Sequence, residues 1–369
     1  MTTVAVVGTG LIGGSLGLAL RASGVKVVGY DSDADRLRRA VERGAVDSGA
    51  STLGAVFEGA DAAFVAVPVS AVAEAVAVAL AAGVAAVSDV GSVKAPVVEA
   101  VEAAGGAAAA RFVGGHPMAG PGARGAPGEA VTDGIEGADA GLFEGATWVL
   151  TPTERTDPTA FAAVRDLVAS VGAEVVAVDP RLHDDLVATV SHLPHLAAAT
   201  VMHVAADASP NHDTLLRLAA GGFRALTRLS GRAPDIWPDI CVENREAIVD
   251  VLDRYLDALG RARALVSAGQ RPALLDFFER ARAEGSSLPA RSGVTGPLVE
   301  LAIPVPDRPG VLAEVTTLAG HHGVNIADLE ITHSPQGGTL LMVVPADGAG
   351  PIVEGLERLH YRVTRKDLG

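Results

Sequence analysis

The chain has 369 residues, too many for one comfortable hydrophobic core, so two or three domains are expected. Apolar residues make up 49% and charged residues 20%, a globular balance. Only 4% are aromatic, which suits α/β or helical folds built from small, closely spaced side chains. The formal net charge is −15 and no Lys/Arg cluster is present, which argues against a nucleic-acid binder and means that an anionic substrate needs a local basic pocket.

The single cysteine, Cys241, cannot form an intrachain disulfide and fits a reducing compartment. Residues 1–8 run straight into a first strand with no leader pattern, so a cytoplasmic location is expected. The uncharged stretch Ala75 to Ser88 is well short of the roughly 20 residues a membrane span needs, and no membrane association is expected.

In chain order, residues 1–180 alternate between strand-like and helix-like stretches. β-rich runs fall at Val4–Val7, Val25–Tyr30, Ala62–Val67, Ala85–Asp89, Arg111–Gly114, Thr147–Leu150 and Glu174–Val178. Helical spacing marks Leu11–Ala22, Ala34–Arg43, Val69–Ala81, Val93–Ala103 and Pro158–Ser170. Continuous apolar strands between helices predict a parallel sheet covered on both faces, a doubly wound α/β unit. Gly120 to Ala140 breaks the alternation; a loop of that length is usually functional or mobile.

From position 181 to 285 the texture is helical, with Ile248, Leu252, Tyr255, Leu256 and Leu259 at helical spacing and Pro194 marking a kink or boundary. Residues 286–297 read as a linker. Residues 298–369 then give strand Leu298–Val305, helix Val311–His321, strands Val324–Thr332 and Thr339–Pro345, helix Pro351–Leu359 and strand Tyr361–Arg365. This βαββαβ order predicts a ferredoxin-like module.

The first strand runs into Gly8, Gly10 and Gly13 as G-x-G-x-x-G, and Asp31 ends the second strand 18 residues after Gly13. The motif alone is weak in a chain with 43 glycines; its strand–turn–helix context makes it a dinucleotide fingerprint of a Rossmann-like sheet. Gly8 permits the turn, Gly10 admits the pyrophosphate and Gly13 lets helix pack on strand. Leu11 and Ile12 place their N–H groups at the helix start, where anions are favoured. The Asp31 carboxylate suits ribose hydroxyls and repels a 2′-phosphate, so NAD is expected over NADP, although Arg36, Arg38 and Arg39 lie nearby. Val67 and Pro68, after the Ala62–Val67 strand, are expected to border the same cofactor. No metal ligand set is expected.

Further segments follow strand ends or lie in the helical region: Asp89-Val90-Gly91-Ser92-Val93-Lys94, Gly114-Gly115-His116-Pro117-Met118-Ala119-Gly120, Ser191-His192-Leu193-Pro194-His195, Gly221-Gly222-Phe223, Thr227-Arg228 and Trp237-Pro238-Asp239-Ile240. Taken in this order, over residues 1 to about 285, these motifs resemble the prephenate and arogenate dehydrogenases. The resemblance implies an oxidative decarboxylation: hydride leaves the ring carbon bearing the hydroxyl, the hydroxyl loses its proton, and the ring carboxylate departs as carbon dioxide. Prephenate to 4-hydroxyphenylpyruvate, in tyrosine biosynthesis, is the expected reaction. Arogenate to tyrosine is the alternative.

By the same resemblance, His116 is the group that accepts the hydroxyl proton, a task an imidazole performs near neutral pH. Ser92 orients that hydroxyl and His116. Arg228 grips a substrate carboxylate, as a guanidinium can do bidentately. His195, or else His192, gives a further substrate contact, and Trp237 and Gly221 line the pocket. Each residue has a plainer reading as well. His116 could fill space in a loop, Ser92 could cap the helix near Val93, Arg228 could form a surface ion pair, one of the two later histidines could be structural, and Trp237 could be core. The sequence departs from the family after Gly120, with an apparent insertion near Pro121–Asp133 before the register returns at Gly134.

Residues 298–369 resemble an ACT domain through Asp307-Arg308-Pro309-Gly310-Val311-Leu312 and Asn325-Ile326-Ala327-Asp328-Leu329. The resemblance implies an amino-acid effector held near Gly310, Asn325 and Asp328, with tyrosine as the expected ligand, and a homodimer built by the helical region. Two rivals stand beside this reading. A β-hydroxyacid-type NAD enzyme often uses a lysine in the helical domain, but none lies between Lys94 and Lys366. A nucleotide and amino-acid sensor without catalysis would draw its support from the irregular loop.

Overall fold

The structure is a computed structural model that describes residues 2–120, 134–207, 221–227, 234–286, 297–306, 308–334 and 337–368. The chain divides into two compact units, Met1–Leu256 and Asp257–Gly369.

In the first unit, eight strands form one sheet: β1 (Thr3–Val7), β2 (Lys26–Tyr30), β3 (Ser48–Gly49), β4 (Ala62–Val65), β5 (Ala86–Asp89), β6 (Phe112–Pro117), β7 (Thr147–Thr151) and β8 (Glu174–Ala177). Their order is β3-β2-β1-β4-β5-β6-β7-β8. The order reverses on either side of β1, and open α/β sheets bind ligands at such a switch point. Side chains of β1 alternate between two cores. Val4 and Val6 join the layer that contains Leu16, Leu20 and Phe143, whereas Ala5 and Val7 join the layer that contains Val72, Val76 and Val97. Burial on both faces explains the unbroken apolar runs of the central strands. The covering helices are α1 (Leu11–Ala22), α2 (Ala34–Glu42), α3 (Val69–Ala81), α4 (Ala95–Gly105) and α5 (Pro158–Ser170).

Three features differ from the sequence expectation. β6 continues past Gly114 to Pro117, so His116 is a buried strand residue instead of part of a loop. β6 and β7 pair antiparallel, with His116 opposite Val149; such a neighbour needs no crossover helix. β4 ends at Val65, leaving Val67 and Pro68 beyond the strand.

The glycines before His116 allow close strand approach. A β-carbon on Gly115 would lie 2.6 Å from the Asp89 carbonyl oxygen and 2.7 Å from Ser88 Oγ.

Helices α6 (Pro180–Val187) and α7 (Leu193–Asp207) follow β8 and are joined by a π-helical turn, Ala188–His192. Pro194 occupies the first turn of α7, where its missing N–H costs nothing, and the irregularity falls just ahead of it. Helix Trp237–Glu243 returns to the sheet layer: Ile240 is buried with Val69 and Val72, and Ser70 Oγ donates to Asp239 Oδ2 at 3.1 Å.

The second unit carries an antiparallel sheet of β9 (Leu298–Val305), β10 (Asp328–Ser334), β11 (Gly337–Pro345) and β12 (Thr364–Asp367), in the order β10-β11-β9-β12. Helices Val311–His321 and Ala349–Arg358 complete βαββαβ, with Leu301, Ile303, Val315, Met342 and Leu356 in its core. Asn325 falls before β10, and the last strand starts three residues later than its sequence pattern indicates.

Candidate active site

The glycine turn has the shape a dinucleotide needs. Gly8 adopts φ +88°, and a β-carbon there would overlap the Ala66 carbonyl. At Gly13 a β-carbon would overlap the Gly8 carbonyl, so the absence of a side chain lets α1 lie against the turn. Around Gly10 a β-carbon would meet nothing within 4 Å, which leaves open space at the start of α1. No side chain caps that helix, so its first N–H groups are available to an anion. Leu11 and Ile12 are half-buried there.

Asp31 follows β2 and is buried at 6% exposure. Its Oδ2 accepts from Thr9 N at 2.8 Å and from Thr9 Oγ1 at 3.1 Å, and its Oδ1 accepts from Asp33 N at 2.9 Å and from Arg36 Nη1 at 3.1 Å. The carboxylate is thus fixed beside the glycine turn, with one guanidinium on it. These residues fit a dinucleotide: a bare anion cradle and an oriented carboxylate at the end of the second strand. Val67 is half-buried and Pro68 exposed at the head of α3.

His116 anchors a second cluster. Its Nδ1 lies 2.9 Å from His183 Nε2, with the rings edge to face at 5.1 Å. His183 Nδ1 lies 2.8 Å from Asp184 Oδ1. The Asp184 carboxylate also accepts from Lys94 N and Ala95 N, each at 2.8 Å, and so holds the start of α4. Lys94 is wholly buried, its ammonium paired with Asp89 Oδ2 and donating to the Gly115 carbonyl at 2.9 Å. Asp89 Oδ1 accepts from Gly115 N at 3.0 Å. A buried ion pair and two strand bonds therefore fix the backbone immediately before His116.

Burial pushes the His116 pKa well below the ordinary histidine value, and His183, Lys94 and His192 push the same way. The ring is consequently neutral at neutral pH, the form that accepts a proton. Burial also pulls the Lys94 ammonium down, against the opposing pull of Asp89 and Asp184.

His192, at the end of the π turn, is buried; burial lowers its pKa to about 4 against the pull of Asp184. Asn244 joins it to the cluster, with Nδ2 3.2 Å from His192 Nδ1 and donating at 3.0 Å to the Asp184 carbonyl. His195 Nδ1 bonds the Ser191 carbonyl at 2.9 Å, and its ring stacks on Trp237 at 4.1 Å; His192 meets the same indole edge-on at 6.0 Å.

The structure thus brings together His116 and His192 through a hydrogen-bonded network, and joins His195 and Trp237 to His192 through ring contacts at the Trp237 indole, in one unit. Ser92 is half-buried and makes no hydrogen bond to His116. It does not cap α4 either, because the helix starts later, at Ala95, with Lys94 as the flanking residue. Gly221 opens the short helix Gly221–Thr227. Arg228 and residues 121–133 lie outside the described residues. Sequence reasoning missed His183, Asp184 and the connecting role of Asn244. A signal was present: Pro180, His183, Asp184 and Val187 share helical spacing and form the buried face of α6, an unusual place for two polar residues.

Among the described residues no group of three or more His, Cys, Asp or Glu side chains is placed to hold a metal ion, and no helix is long and apolar enough to cross a membrane. In the second unit a cavity of about 240 Å³ is lined by residues that include Pro306, Arg308, Gly310, Leu312 and Ile331. Gly310 is at its wall; Asn325 and Asp328 are exposed and do not line it.

A doubly wound sheet with a bare glycine turn after β1, and a buried imidazole on β6 of the same sheet, define a dinucleotide-binding oxidoreductase. Residues 16–177 match the family described as prephenate dehydrogenase, nucleotide-binding domain; residues 179–280 match prephenate dehydrogenase, dimerization domain; and residues 300–363 match the ACT domain. The chain belongs to the prephenate dehydrogenase family. It is 30% identical to the prephenate dehydrogenase of Bacillus subtilis (strain 168) over 335 residues, 89% of this chain and 88% of that protein. Among solved structures it is similar to prephenate dehydrogenase from A. aeolicus in complex with hydroxyphenyl propionate and NAD+, with TM-score 0.70 and 30% identity over 77% of this chain and 97% of that one. It is also similar to Synechocystis arogenate dehydrogenase, with TM-score 0.65 and 30% identity over 77% and 98%.

Proposed function

We propose that this protein catalyses the NAD-dependent oxidative decarboxylation of prephenate to 4-hydroxyphenylpyruvate, with His116 as the proton acceptor. The observation that carries the reading is the buried His116 imidazole, held on β6 by the Lys94–Asp89 pair within the unit that also contains the glycine turn. NAD, when bound, supplies the hydride acceptor. Gly8, Gly10, Gly13 and the first N–H groups of α1 would hold its pyrophosphate, and Asp31 its adenosine ribose. His116 takes the proton of the ring hydroxyl as carbonyl character develops there. General-base help of this kind is typically worth about 10²–10⁴-fold. Loss of the ring carboxylate as carbon dioxide completes an aromatic ring, which drives the reaction.

His195 and Trp237 form a stacked wall suited to a ring-bearing substrate, and Arg228 supplies a carboxylate partner in this reading. The Asp31 carboxylate favours NAD over NADP. The chain acts as a homodimer in the cytoplasm, with the second unit taking tyrosine as an effector.

The test is NADH formation by the purified protein with prephenate and with arogenate. Turnover of prephenate at the higher kcat/KM is expected, and exclusive turnover of arogenate would reassign the substrate. His116→Asn should lower kcat by about 10²-fold or more and leave the Kd for NAD unchanged. Near-normal turnover by that variant would remove His116 from the mechanism.

A further inference from the structure

Resting on the reading of His116 as the base, we infer that His183 is a positioning residue that fixes the tautomer of His116 and thereby chooses which ring nitrogen takes the substrate proton. Asp184 receives N–H bonds from Lys94 and Ala95, and His183 Nδ1 lies 2.8 Å from its Oδ1. A carboxylate in that role only accepts, so His183 Nδ1 carries the hydrogen. With that as its one ring hydrogen, His183 has a bare Nε2. That atom lies 2.9 Å from His116 Nδ1 and accepts from it, so the His116 hydrogen sits on Nδ1. His116 Nε2 is left as the lone pair, and it carries no hydrogen bond among the described residues.

The arrangement resembles the orienting carboxylate of an acid–base triad, lengthened by one imidazole. When the substrate O–H gives its proton to Nε2, His116 becomes imidazolium and its Nδ1–H continues to donate to His183. No proton passes to His183; its acceptor and the carboxylate behind it stabilise the new charge in place. The groups facing His116 are His183 and Asp184 from α6, Lys94 from the head of α4, Asp89 from the end of β5 and His192 from the π turn. Of these, His183 alone hydrogen-bonds the His116 ring. Both imidazoles are nearly excluded from solvent, which keeps water from offering either tautomer an alternative partner.

The test uses the full-length enzyme with NAD and prephenate. His183→Phe keeps a ring but removes the acceptor, while His183→Gln restores an acceptor near the Nε2 position. We expect His183→Phe to lower kcat on the order of 10²-fold with the KM values for NAD and prephenate within about threefold of wild type, and His183→Gln to recover much of the loss. Nitrogen-15 shifts of His116 should show a protonated Nδ1 in the wild type and a mixture of tautomers in His183→Phe. Wild-type kcat in His183→Phe, or an unprotonated His116 Nδ1 in the unmodified enzyme, overturns the inference. The second measurement decides even if His183→Phe fails to fold. An active His116→Asn overturns the underlying assignment instead, so the two failures are distinguishable.

Discussion

Gly8 and Gly10 belong to one motif, yet their surroundings predict opposite kinds of damage. Gly8 sits at φ +88° against the Ala66 carbonyl, so Gly8→Ala should cost about 1–3 kcal/mol from backbone strain alone, with steric overlap in addition, seen as a lower unfolding midpoint. Gly10 has open space where its β-carbon would be. Gly10→Val should therefore fold with near-normal stability and weaken NAD at least tenfold, about 1.4 kcal/mol, in a fluorescence titration. Equal thermal shifts for the two variants would contradict this division. The motif was readable in sequence because strand, turn and helix are local. His183 was not, because its value lies in reaching another ring 67 positions away.

At the level of elements, α6 and the π turn bury His183, Asp184 and His192, and that has a pH signature. The folded pKa of His192 is about 4, against an ordinary 6.5. As pH falls from about 6.5 towards 4, the unfolded chain binds a proton that the native site refuses. The stability this residue contributes is thus complete above about 6.5 and is lost on acidification, by up to about 3 kcal/mol. Denaturant titrations of wild type and His192→Asn at pH 7 and pH 4.5 should show a smaller loss in the variant. Parallel losses would mean that His192 is not the group responsible. Sequence periodicity located most elements of the doubly wound sheet and of the C-terminal βαββαβ unit, since helix and strand periods are short-range signals. It stopped β6 at Gly114, because two glycines and a proline weigh against a strand locally. Pairing with β5 and β7 overrides that preference.

For the whole molecule, the family assignment combines a nucleotide-binding region, a helical region and an ACT region in one chain. The cavity of about 240 Å³ at the Gly310 turn suits a small amphipathic ligand, with Arg308 held at its wall by Glu314 and the Tyr361 hydroxyl. Tyrosine should inhibit the enzyme, and Leu312→Trp, which narrows that cavity, should raise the inhibitory midpoint at least tenfold without changing kcat in its absence. A wild-type rate unaffected by millimolar tyrosine would leave the cavity without this role.

Gly115 has a consequence for catalytic tolerance. Two bare α-carbons let one main chain press almost directly on its neighbour, so the depth of the His116 imidazole is gauged by peptide against peptide, with no flexible side chain between them as a cushion. A methyl group inserted there would meet oxygen at 2.6 Å and lift the strand by a fraction of an ångström. Misplacement of reacting groups by about 1 Å can cost 10²-fold in rate. Gly115 is thus the shim that sets the reach of the base, and even the smallest side chain would change its thickness.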